Sequence, residues 1–478
     1  MLFNSIDYFL FLAAAVFLVQ VWRNSRFQVG YLLLASYLFY SIYHPWFVLL
    51  LLGVSLAAYL LGISLPRFRS RALYVAACVV CSFAALCYFK YSAFVLDLLE
   101  PILHADTQAW AYNAMLPIGI SFFSFQAYGY LWDVYRGNAE PERNIFRFLL
   151  FLSFFPQLVA GPIERAEHLL PQLPSAKPLT PSRFSGGVKL ICWGLVKKVV
   201  IADRLSVLVD VAFNNPGAFS APFCMLANVG FAFQIYYDFS GYTDIALGSA
   251  QLLGVDLMDN FDRPYFSRNI AEFWRRWHLS LYSWFRDYVY IPLGGSKTGL
   301  KRNLGNILFV FGISGLWHGA GLNFIAWGLL HGLYIAAYVL YRRVTPVAAF
   351  RFGRAWTVLG WLATFSLVCV TWVFFRARNI EAALVYIANE FKVFTMADVL
   401  AVCDVVIDST WLAQPDLLVI LLGIPCIELV EQIQSKASRR FFFETHHPLV
   451  RYAFGLVLFL SLVNLGYSID MPFIYFDF

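Results

Sequence analysis

Of the 478 residues, 60% are hydrophobic, 19% aromatic and only 13% charged, and the mean hydropathy is +0.65. Soluble domains are about a quarter charged, so one water-soluble core is excluded and the chain reads as an integral membrane protein. The net charge of +6 sits in clusters at Arg67 to Arg71, Lys297 to Arg302, Arg342 to Arg354 and Lys436 to Arg440. Each falls in a short connection between apolar runs, as in cytoplasmic loops, so the bilayer and not nucleic acid is the expected partner.

The apolar runs, in chain order, are 8–22, 29–43, 46–65, 72–96, 113–132, 188–212, 223–255, 303–317, 320–341, 355–375, 417–433 and 449–468. A bilayer core of ~30 Å needs about 20 helical residues, fewer inside a bundle. The shorter apolar stretch 148–161 contains Phe155-Pro156-Gln157 and ends at Gly161-Pro162, which predicts a re-entrant or interfacial piece, its broken backbone sheltered by protein. The expectation is an all-α membrane protein of about 11–13 transmembrane or re-entrant helices. The first run follows Met1 to Asp7 without basic residues or a small-residue cleavage site, so it reads as a retained span. Placing the basic clusters inside puts 97–110, 381–411 and both termini outside. No repeat of 20–50 residues or long linker is visible, and 1–478 is taken as one domain.

Cys78 and Cys81 form a CxxC inside an apolar run, without a second pair of ligands, and the other six cysteines are scattered. Buried thiols are expected there, and no metal. The conspicuous interruption is 256–302, rich in Trp, Tyr, Arg and Gly, expected at the cytoplasmic face. Wound as one helix, its residues Trp274, Trp277, His278, Leu281, Tyr282 and Phe285 share a broad face.

Two histidines carry the chemistry. His318 stands in Leu316-Trp317-His318-Gly319-Ala320-Gly321. Gly315 to Gly319 and Gly328 to Gly332 have the small-xxx-small spacing of close helix packing. Packing explains the glycines but not an imidazole at membrane depth, which marks a functional path. A neutral buried imidazole accepts a proton from a hydroxyl, making His318 a candidate general base for attack on a thioester or ester. His278, nearer the cytoplasmic surface, would orient the donor, join the proton path of His318 or anchor a phosphate, and His331 reads as a structural or supporting residue. No GxSxG elbow is present, and Cys192 has no histidine nearby in sequence, which argues against a covalent triad. Asp238 and Asp244 lie inside another apolar run. They either pair with Arg263, Arg275 or Arg286 or line a polar path.

These motifs resemble the membrane-bound O-acyltransferase (MBOAT) family, in its bacterial branch of alginate O-acetylation and teichoic-acid D-alanylation. The likeness is carried by Phe154 to Ile163, Gln234 to Gly248, Phe273 to Gly295 and Leu316 to Gly332. It covers a motif core of about 116–332, and the block from Phe273-Trp274-Arg275-Arg276-Trp277-His278 to Pro292-Leu293-Gly294-Gly295 is highly specific. The resemblance implies a bundle around a central tunnel in a bacterial inner membrane, with His318 as catalytic histidine and His278 as the second. It also implies a donor and an acceptor arriving from opposite sides. The tail Pro472-Phe473-Ile474-Tyr475-Phe476-Asp477-Phe478 is similar to the aromatic tail of some members. By that likeness Tyr475 would accept the acyl group and relay it outward.

The expected function is O-acetylation of an exported polysaccharide. Acetyl-CoA, or another acyl thioester, would serve as donor substrate, and no cofactor would be bound. Trp274, Arg275, Arg276, Trp277, Arg286, Trp317, Asp238 and Asp244 are the candidate substrate-binding residues, with Lys297, Lys301 and Arg302 available to phosphates. The longest outer connection, between 375 and 417, is too short to modify a polymer alone. The family's arrangement then implies an extracytoplasmic SGNH (serine-hydrolase-like) acyltransferase and polysaccharide export machinery as partners. The rival readings are a transporter or flippase for envelope precursors, which predicts internal repeats, and an acyltransferase acting on a lipid or protein.

Overall fold

The computed structural model describes residues 3–23, 27–65, 70–103, 115–159, 161–297, 299–345, 354–407, 414–433, 447–466 and 473–474. Among these, every regular element is helical and no strand occurs. Five helices are long and apolar enough to cross a membrane: Pro45–Ser64, Arg71–Glu100, Leu322–Val344, Ala355–Arg376 and Pro448–Leu465. Their outward faces carry Leu49, Leu60, Leu333, Leu362 and Phe459, all exposed, a surface suited to lipid. The other apolar runs also form helices, among them Gln28–Ser41, Ala221–Leu252, Leu300–His318 and Gln414–Ile433. The basic cluster Lys436 to Arg440 lies outside the described residues.

The chain divides into two compact units, Met1–Ile191 with Tyr242–Asp259, and Cys192–Gly241 with Asn260–Phe478. In the first, the stretch 148–161 is a broken helix, Ile145–Ser153 followed by Phe155–Leu158. Proline at 156 cannot donate and its ring excludes a continuous helix. The groups freed by the break are taken up by protein, as lipid-depth backbone requires. The Phe151 carbonyl accepts from Gln126 Nε2 at 2.8 Å and Gln157 Nε2 at 2.9 Å, and the Phe155 N–H donates to Ser36 Oγ at 3.2 Å.

In the second unit, Leu300–His318 and Leu322–Val344 meet backbone to backbone. A Cβ on Gly315 would lie 2.2 Å from the Phe324 carbonyl oxygen, and one on Gly328 2.2 Å from the Phe311 carbonyl oxygen. Only glycine permits that approach, so the expected small-residue packing is realised on both helices. The tight connection Gly319 to Gly321 then turns the chain between them.

Gly328→Ala forces the two helices apart and is expected to destabilise the purified protein by about 1–3 kcal/mol. Gly305→Ala, on the first helix with open space around it, is expected to hold or raise stability because alanine is the better helix former. Thermal unfolding of both variants in detergent checks this, and equal losses would contradict the packing.

Candidate active site

The single helix expected through Trp274 to Phe285 does not form. Asn269 caps Ile270–Trp274, its Oδ1 accepting the Glu272 N–H at 2.9 Å, while Glu272 accepts the Arg268 N–H at 3.0 Å. Burial raises the Glu272 carboxyl, but the Arg268 N–H and the guanidinium groups of Arg276 and Arg268 outweigh it and hold the group below its usual range. The chain then leaves the helix. The Asp262 N–H donates to the Arg276 carbonyl and the Leu279 N–H to the Asn260 carbonyl, each at 2.9 Å. Arg275, Arg276 and Trp277 still donate back to Glu272 and Phe273, but the distant segment takes the Arg276 carbonyl and the Leu279 N–H, which a continuous helix would use for itself. His278 adopts φ 45° and ψ 57° before Leu279–Phe285 begins, a left-handed conformation costing a residue with a side chain roughly 1–2 kcal/mol. Such stored strain is typical of functional positions.

Hydrogen bonding fixes the state of His278. Asn260 Oδ1 accepts the Ser280 N–H at 3.2 Å and the Ser280 hydroxyl at 2.9 Å, so this atom is the amide oxygen. His278 Nδ1, 3.0 Å from the same oxygen, must therefore carry the proton. Its Nε2 keeps the lone pair and has no hydrogen-bond partner among the described residues. The residue is 1% exposed, and burial pushes its imidazole well below the ordinary value.

His318 ends the Leu300–His318 helix at 2% exposure. Its ring meets Trp317 and Trp327 edge-on at 4.8 Å each and Phe375 at 5.3 Å. Trp317 also lies 6.1 Å from His278, so one indole adjoins both histidines. His331 is occupied on both sides, by Trp274 Nε1 at 3.3 Å on Nδ1 and by the Thr371 hydroxyl at 2.9 Å on Nε2. That saturation suits a structural role.

The remaining candidates separate by place. Trp274 and Arg286 line a cavity of about 250 Å³ together with Ala271, Phe285, Phe311 and Ser314. Arg286 is held by Asp287 at 2.7 Å, Arg276 by Glu272 at 2.6 Å, and Arg275 is exposed. Trp277 is fully buried among Tyr236, Phe261, Phe273 and Trp372 and serves the core. Asp238 does not pair with the arginines considered for it. It lies 2.8 Å from Lys198, which also holds Asp203 at 2.8 Å. The reason is geometric: Lys198 sits on a π-helical segment, Val196–Ala202, of the same unit. Asp244 belongs to the first unit, and Tyr475 lies outside the described residues.

Two features were missed from sequence. Asn260 had no local signal, because its role depends on a residue eighteen positions away. Lys197 and Lys198 did have one: two ammonium groups inside an apolar run demand partners. Lys197 finds Glu431 at 3.0 Å, and Tyr236 and Tyr237 donate to Glu431 and Glu428 at 2.7 and 2.8 Å.

The model of MBOAT, the membrane-bound O-acyltransferase family, matches residues 141–380, which include His278 and His318. The chain is 38% identical over 392 residues to the probable alginate O-acetylase AlgI of Pseudomonas aeruginosa, covering 80% of this chain and 73% of that protein. It is 33% identical over 398 residues to the peptidoglycan O-acetyltransferase of Helicobacter pylori, with 77% and 75% covered. It is 27% identical over 301 residues to the teichoic acid D-alanyltransferase of Bacillus subtilis, with 59% and 74% covered. The chain belongs to the membrane-bound O-acyltransferase family and is an O-acyltransferase.

Proposed function

We propose that the enzyme takes an acetyl group from acetyl-CoA at the inner face of a bacterial cytoplasmic membrane and passes it outward for O-acetylation of an exported polysaccharide. The observation that carries the reading is the pair His278 and His318, both buried and both against Trp317. The relatives' names, for alginate and peptidoglycan O-acetylation, support acetyl as the group and an envelope polymer as its destination. The cavity beside Trp274, at about 250 Å³, is below the ~300–1,000 Å³ of whole-ligand pockets. Neither histidine is among its lining residues, and the exposed Arg275, Lys297, Lys301 and Arg302 are available to the nucleotide's phosphates.

In the first step His318 takes the proton of the attacking hydroxyl as that oxygen bonds to the thioester carbonyl carbon. The carbon–sulfur bond then breaks and the sulfur leaves with that proton as thiol. His278, its lone pair on Nε2, orients the donor side. The acceptor hydroxyl is that of Tyr475, a phenol of ordinary pKa about 10 that needs such a base. A serine hydroxyl of an extracytoplasmic SGNH-type partner then attacks the aryl ester, its proton passing to the phenolate oxygen as Tyr475 leaves, and a hydroxyl of the polymer delivered by the export machinery takes the acetyl group from that serine, which regains a proton.

His318→Ala is expected to lower acetyl-CoA consumption by the purified enzyme about 10²–10⁴-fold. Unchanged consumption would defeat the assignment, and no donor use even by the wild type would favour transport. Tyr475→Phe is expected to abolish polymer acetylation in cells, and full acetylation would remove the relay. For His278 the folded imidazole titrates below the unfolded one, so its contribution to stability is present above about pH 6.5 and is lost as pH falls. The thermal midpoint of the wild type should therefore drop on acidification more steeply than that of His278→Asn, which tolerates the left-handed backbone. Parallel slopes would show that His278 is not held neutral.

A further inference from the structure

Lys198 is one ammonium between two carboxylates, Asp203 and Asp238, and all three side chains are no more than 3% exposed. Two buried carboxylates share this one ammonium, and a buried carboxylate is tolerable only when donors reach its oxygens. One such donor is the Ile474 N–H, which reaches Asp238 Oδ2 at 2.8 Å. The two described tail residues are themselves buried, Phe473 fully and Ile474 to 7% exposure. The Phe473 ring lies 5.5 Å from Phe239, the residue after Asp238, and Phe239 meets His278 edge-on at 4.7 Å. A charge-assisted bond therefore fixes the tail backbone beside one of the two candidate histidines.

We propose that Asp238, oriented by Lys198, is the positioning residue of the carboxyl-terminal tail. Oδ1 is committed to the ammonium, which turns Oδ2 towards the tail and sets the register at which the chain enters residue 475. The functional consequence rests on the relay role of Tyr475; the tether itself does not. Asp238 acts through the tail backbone.

Hydrogen–deuterium exchange of the peptide spanning 466–478 in the purified full chain tests the tether. In Asp238→Ala the Ile474 amide is expected to exchange about ten-fold faster or more, the loss of a hydrogen bond to a charged group. Asp238→Asn keeps an acceptor oxygen and is expected to restore most of the protection. Unchanged exchange in Asp238→Ala would overturn the proposal. Should that variant fail to fold, Ile474→Pro removes the donor N–H while fixing φ, and Ile474→Val keeps the N–H. Polymer acetylation is expected to fall about ten-fold in the first and persist in the second, and equal acetylation would overturn the proposal. Tyr475→Phe is expected to keep wild-type exchange. Loss of the relay, seen as acetylation by Tyr475→Phe, is thus distinguishable from loss of the tether, and the exchange comparison would then decide alone.

Discussion

Two glycines decide what the second unit can hold. Gly315 and Gly328 let two helices approach at carbonyl distance, and His318 is the last residue of one while Trp327 and His331 lie on the other. The 4.8 Å ring contact between His318 and Trp327 exists only at that separation. A side chain at either glycine would widen the gap and open the aromatic cage. Packing and chemistry are therefore one constraint here, because the residues that permit close approach are also those that place the imidazole.

Burial favours partners within the protein for polar groups, and which partners they find assigns different work to chemically identical side chains. His331 spends both nitrogens on Trp274 and Thr371, so it can neither give nor accept a proton elsewhere. His278 spends one on Asn260 and keeps a lone pair on the other. The same rule explains the buried lysines. Lys197 sits against Glu431 of another helix, and Lys198 against Asp203, five residues on, and Asp238 of another helix, which reaches on to the tail.

Features that depend on neighbours in sequence were legible beforehand. The apolar runs became helices, the Phe155-Pro156 break became a break, and glycine spacing became close packing. Features that depend on distant partners were not. The Trp- and Arg-rich stretch reads as one amphipathic helix until Asn260 and Asp262 are seen to claim its backbone bonds. Trp277 shares that stretch with Trp274, yet one fills the core and the other borders the cavity. Asp238 was matched to arginines by type, whereas Lys198 reaches it from a π-helical segment that no periodicity announced.

The most direct test is to locate the acyl group itself. Purified enzyme incubated with labelled acetyl-CoA, quenched in acid and digested, should carry the label on the carboxyl-terminal peptide containing Tyr475. Label on any other peptide, or donor consumption with that peptide unmodified, would contradict a relay from His318 to the tail.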